Sequence, residues 1–126
     1  MPSLKPIRIL VADSHEMVRS ALALFIDMSE RFELVGEAEE GIETLRLCAL
    51  LQPDVVLISS TLLPVDGFDT TRLIHQKHPL ISIIMLSTSN RPEDVDAAIR
   101  AGVSSYLIKE FVGTDIIAEV IRAVAR

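Results

Sequence analysis

Short, nearly unbroken apolar runs alternate along this chain with segments whose apolar residues recur every three or four positions. Ile7 to Val11 is a run of strand length, and Val18, Ala21, Leu22 and Phe25 follow it at helical spacing. Phe32 to Ala38 reads as a second strand. Thr44, Leu47, Cys48 and Leu51 then form a stripe at i, i+3, i+4 and i+7, which Pro53 ends. Val55 to Ile58 is a third strand, and the helix after it runs from Gly67 to about Lys77. Ile81 to Leu86 is a fourth strand. Asn90, Pro92 and Glu93 read as the start of a helix, with Val95, Ala98 and Ile99 facing inward and Gly102 as its stop. Tyr106 to Ile108 makes a fifth strand, and Ile117, Val120, Ile121 and Val124 stripe a last helix beginning near Thr114.

Strands alternating with helices in this way imply a parallel sheet, because parallel neighbours need crossover connections and bury both faces. The 126 residues form a single domain, 1–126, burying roughly two-thirds of the surface exposed when unfolded. No apolar run approaches the roughly 20 residues of a membrane span, and Met1 to Arg8 lacks the apolar core of a signal peptide. The expectation is a cytoplasmic protein with no membrane contact. A single cysteine, Cys48, forms no internal disulfide and reads as a small core hydrophobe. The net charge of −6 argues against direct nucleic-acid binding, which depends on clustered Lys and Arg.

Four short stretches stand in order: Val35-Gly36-Glu37-Ala38, Pro53-Asp54-Val55-Val56-Leu57, Pro64-Val65-Asp66-Gly67 and Ala101-Gly102-Val103-Ser104-Ser105-Tyr106-Leu107-Ile108-Lys109. Each is weak alone, but their order and spacing resemble the CheY-like receiver domain of bacterial response regulators, in its NarL/FixJ (LuxR-type) branch. The resemblance runs from Ile7 to about Arg126. It implies a flavodoxin-like (βα)5 three-layer sandwich whose five parallel strands lie in the order 2-1-3-4-5. In such sheets the site forms beyond the carboxyl ends of the strands, beside the topological switch.

The same resemblance assigns the residues there, and the chain departs from the family at the acids. Asp13 and Ser14 stand where the branch has two adjacent acids, so the second, which ligates the metal directly, is a serine. Asp13 also reads as a helix N-cap, with Glu16 three residues on. The phosphoacceptor aspartate is replaced as well. Counting back from Pro64 places Ser60 at its position, counting forward from Pro53 places Ser59 there, and the sequence leaves both open. Asp54 lies at the other end of that strand, roughly 15 to 17 Å away at strand rise, and cannot substitute. Asp66 reads as a turn-stabilising side chain. Ser87 and Lys109 match the hydroxyl that contacts a bound phosphoryl group and the lysine that pairs with the acceptor; Tyr106 matches the aromatic position that moves with phosphorylation.

Phosphoryl transfer to a receiver needs a carboxylate nucleophile and Mg²⁺ to offset the charge brought together. A serine hydroxyl is a poor nucleophile without a positioned base, and His15 reads as a solvated helix-start residue. In the family pocket two carboxylates about 5 Å apart repel by roughly 3 kcal/mol at an effective dielectric near 20. Here a plain Lys109 to Asp13 pair is expected instead, with no catalytic residues, no bound metal and no cofactor. The expectation is an atypical pseudo-receiver, not an enzyme, in two-component-type signal transduction. It would act as a dimerisation and protein-interaction module of a transcriptional regulator, independently of phosphorylation. Its homodimer would form through the face of the fourth helix, fifth strand and fifth helix, or through the first and fifth helices. The branch usually continues into a helix-turn-helix output domain, so the chain reads as the N-terminal part of a longer regulator. A module binding a small anionic ligand through Lys109 and the hydroxyls is the alternative, and a receiver phosphorylated on a non-standard residue is a minor one.

Overall fold

The computed structural model describes residues 5–125. Strands β1 (Ile7–Ala12), β2 (Phe32–Ala38), β3 (Val55–Ser59), β4 (Ser82–Ser87) and β5 (Ser105–Ile108) alternate with helices α1 (Glu16–Asp27), α2 (Gly41–Leu51), α3 (Gly67–Lys77), α4 (Pro92–Ala101) and α5 (Thr114–Val124). All neighbouring strands are parallel and the order is β2-β1-β3-β4-β5, the flavodoxin-like arrangement. The third and fourth strands are buried along their whole length, as continuous apolar runs in the middle of a doubly covered sheet must be.

Successive strand residues point to opposite faces, so each strand feeds two separate cores. Leu10 and Ala12 of β1, Val56 and Ile58 of β3, and Ile83 and Met85 of β4 pack with Leu47, Cys48, Ile74 and Ala98 from α2, α3 and α4. Their neighbours Ile9, Val11, Val55, Leu57, Ile84 and Leu86 pack on the other side with Leu22, Ile26, Ile117 and Ile121 from α1 and α5. Full burial of each such side chain contributes roughly 1.5–3 kcal/mol.

Two expectations fail at helix starts and one on a helix face. The N-cap of α1 is His15, whose ring nitrogen accepts from the Val18 amide at 3.4 Å; Asp13 lies too far upstream and accepts from the His15 amide instead. Helix α4 begins at Pro92 with Arg91 as its N-cap, so Asn90 stands outside it. Ile99 is 62 % exposed while Ala98 is fully buried. A ten-residue helix presents only a narrow stripe inward, and Ala98 and Ala101 occupy it. Gly102 ends α4 at φ 110°, where a Cβ would also meet the His75 ring at about 2.5 Å, so glycine is required for both reasons.

Candidate functional site

The alternation that builds two cores also sorts the residues beyond the strand ends into two groups. Asp13 continues the parity of Ile9 and Val11, and Ser59 that of Val55 and Leu57, so both lie on the α1/α5 side. Ser60 continues the parity of Val56 and Ile58, and Ser87 that of Ile83 and Met85, on the α2/α3/α4 side. Lys109 follows Leu107 toward the first group, whereas Tyr106 packs against the second core.

The first group is ionic. Lys109 Nζ lies 3.2 Å from Asp13 Oδ2 and donates to Ser59 Oγ at 3.4 Å. Asp13 Oδ1 accepts from the His15 amide at 2.9 Å, so both carboxylate oxygens are engaged. The pair is unequal in burial, with 3 % of the Asp13 side chain exposed against 23 % of Lys109, which keeps the ammonium in partial contact with solvent. Asp13 is also fixed through its backbone. Its amide donates to Ala38 O at 3.0 Å, and the buried Arg19 guanidinium donates to its carbonyl at 2.9 Å while pairing with Glu37 at the end of β2 and Glu39 just beyond it. Ser59 shares a 3.0 Å hydrogen bond with Thr61 Oγ1 and accepts from the Thr61 amide. Ser14 is exposed and its hydroxyl donates to Thr61 O at 3.4 Å.

The second group is built from hydroxyls. Ser60 Oγ donates to Ser87 Oγ at 3.0 Å, both side chains being buried. Ser87 Oγ also accepts from the Ser89 amide at 3.1 Å, and Ser89 O accepts from the Tyr106 hydroxyl at 2.7 Å. The Ser89 hydroxyl bonds to the Asp94 carboxylate in the first turn of α4 and accepts from the Arg91 amide at 3.2 Å. The floor beneath both groups is tight. At Gly67, where α3 starts, a Cβ would stand about 2.1 Å from Ser59 O and 2.7 Å from Ser60 Cα.

Of the residues singled out from sequence, the structure brings together Asp13, Ser59 and Lys109, and separately Ser60, Ser87 and Tyr106. His15 caps α1 and is exposed. Asp54 accepts from the Arg8 amide at 2.9 Å at the far end of β3, and Asp66 caps α3 through the Asp69 amide at 2.8 Å. Cys48 is fully buried, which pushes its thiol up to about 12. Sequence reasoning missed Arg19, Thr61 and Ser89. An arginine inside the apolar stripe of α1, with acids at the exit of β2, was a readable sign for the first; the other two depend on loop conformation.

Mg²⁺ favours several carboxylate and phosphate oxygens. Here the Asp13 oxygens already serve Lys109 and the His15 amide, the neighbouring groups are hydroxyls, and among the described residues no cluster of three His, Cys, Asp or Glu side chains could hold a metal ion. The donor set does not match that ion.

Residues 9–121 match the response regulator receiver domain. The chain is 38 % identical over 120 residues to the transcriptional regulatory protein LiaR of Bacillus subtilis, and 32 % identical over 120 residues to the response regulator protein VraR of Staphylococcus aureus. Those alignments cover 95 % of this chain but only 56 % and 57 % of the two relatives. Among solved structures, a LuxR-family two-component response regulator from Aurantimonas aligns with TM-score 0.88 at 27 % identity, over 95 % of this chain and 85 % of that one. The response regulator domain of Thermotoga maritima CheB aligns with TM-score 0.88 at 26 % identity, over 95 % and 96 %. Among the described residues no helix is long and apolar enough to cross a membrane. Fold, strand-end lysine and sequence relatives agree, and the chain belongs to the response regulator receiver domain family, with LuxR-type regulators among its relatives.

Proposed function

We propose that this receiver signals without being phosphorylated, as the regulatory and dimerising module of a transcriptional response regulator. One observation carries the reading: the group beside the Lys109 ammonium at the end of β3 is the Ser59 hydroxyl, and the carboxylate that neutralises Lys109 is Asp13. A hydroxyl with no base to take its proton is a weak nucleophile, and Ser59 Oγ has Thr61 and Lys109 as neighbours rather than a base. Ser59 is therefore the degenerate acceptor position, Asp13 and Ser14 form the degenerate acidic pocket, and Mg²⁺ binding is lost. The Lys109 to Asp13 pair also disfavours the anionic-ligand reading, since the cation such a ligand needs is already neutralised.

For dimerisation the exposed face of α1 supports the pairing of α1 and α5. Met17, Ala21, Leu24 and Met28 recur at i, i+4, i+7 and i+11, and Met17, Leu24 and Met28 are 63–78 % exposed, while Ile116 of α5 is 39 % exposed. Such a stripe is the seam two helices use. An output domain belongs to the same proposal, because the chain spans little more than half of LiaR and VraR. The test combines Mg²⁺ with acetyl phosphate. The expected result is an unchanged melting temperature and an unchanged intact mass; an added phosphoryl group, or a metal-dependent rise in melting temperature, overturns the reading. Sedimentation of the wild type against Leu24→Glu tests the dimer, with loss of self-association expected for the variant.

A further inference from the structure

We infer that Ser60 is a built-in ligand for Ser87, holding the β4–α4 loop and Tyr106 in one state without any added group. The inference rests on the proposed phosphorylation-independence and names how the site is regulated in its absence. Ser87 Oγ is 1 % exposed at the residue level and receives two hydrogen bonds, from Ser60 Oγ at 3.0 Å and from the Ser89 amide at 3.1 Å. Both of its acceptor lone pairs are thus filled from inside the protein.

Ser89 spreads that constraint. Its amide is tied to Ser87, its hydroxyl to Asp94 of α4, and its carbonyl to the Tyr106 hydroxyl on β5 at 2.7 Å. A chain of hydrogen bonds thus runs from the end of β3 to the α4–β5 surface. The first link joins the end of β3 to Ser87, the last residue of β4; the others tie Ser87 through the β4–α4 loop to α4 and β5. Tyr106 is in turn held with its ring against the α2/α3/α4 core. The surface that a partner meets is set by an internal hydroxyl rather than by a covalent modification.

The chain contains one tyrosine and no tryptophan, so its intrinsic fluorescence reports Tyr106 alone. Acrylamide quenching of that emission, in buffer free of metal and phosphodonor, is compared for wild type, Ser60→Ala, Ser87→Ala and the double variant. Loss of a buried hydrogen bond should free the loop and raise the quenching constant about twofold or more in Ser60→Ala. Ser87→Ala, which also removes the Ser89 amide bond, should raise it at least as much, and the double variant should equal Ser87→Ala alone, because Ser60 acts only through Ser87. Ser60→Thr, which keeps the hydroxyl, should restore the wild-type value. Should Ser60→Ala fail to fold, Ser60→Cys, with its weaker hydrogen bond, gives the same readout. Wild-type quenching in folded Ser60→Ala or Ser60→Cys, or additive effects in the double variant, overturns the inference. Phosphate incorporation would instead overturn the proposed function and leave these quenching comparisons standing.

Discussion

The two halves of the strand-end site lie within one residue of each other on β3, yet they are held by different forces. On the α1/α5 side Asp13 and Lys109 form an ion pair in which the carboxylate is almost wholly buried and the ammonium is not. On the α3/α4 side Ser60, Ser87, Ser89 and Tyr106 are joined by neutral hydrogen bonds. The difference teaches where each loss would be felt. A buried charge deprived of its partner is costly in itself, whereas a broken hydroxyl chain costs little energy and mainly releases a loop.

The sharpest way to break that contrast is Lys109→Met, which leaves the Asp13 carboxylate buried with only the His15 amide on its side. A loss of about 3 kcal/mol is expected in urea denaturation at neutral pH. A loss under about 1 kcal/mol would mean that water replaces the ammonium and that the halves differ less than their geometry suggests.

Restoring acids should convert the ionic half from a closed pair into a metal site. In Ser14→Asp/Ser59→Asp, saturating Mg²⁺ is expected to stabilise the fold by about 1–3 kcal/mol, while wild type gains nothing. The same pair with Ser60 in place of Ser59 should not respond, because its side chain lies on the other face of the sheet.

On the hydroxyl side the expected energy is smaller. Ser87→Ala should cost about 1–2 kcal/mol, for the two neutral hydrogen bonds it removes, so that Lys109→Met exceeds it. In the α2/α3/α4 core lies Cys48, whose thiol burial raises to about 12 from 9.0. The unfolded chain sheds this proton above about 9 while the folded one keeps it, so the contribution to stability is full below that pH and is lost as pH rises toward 12. Native Cys48 should react with a thiol reagent at pH 8 about a hundredfold more slowly than in urea. Fast native labelling would show that this core opens readily around α2.

Much of this was legible in the chain itself. Phe32–Ala38 and Gly67–Lys77 have the bounds their patterns indicate; β1, β3 and β5 differ by a residue at one end, and β4 is shifted by one residue at both. The Lys109 to Asp13 pair likewise follows from the loss of competing acids. The sorting of Ser59 with Asp13 and Lys109, and of Ser60 with Ser87, was also present, in the alternation of side-chain direction along the strands; counting from prolines hid it. Ile99 and Asn90 were misread because periodicity leaves a short helix's rotation and first residue loosely fixed, and tertiary packing decides both. Ser89 lies in an irregular loop, where bonding depends on backbone conformation that no period records.

Gly67 gives the site an asymmetric mechanics. With no room for even a methyl group between the start of α3 and the last peptides of β3, helix and strand end form one unyielding wall. The opposite wall, the loop from Ser87 to Arg91, is held chiefly by hydrogen bonds that can be exchanged singly. The site is thus walled by two unlike materials, one set by close packing and one by hydrogen bonds that can be remade.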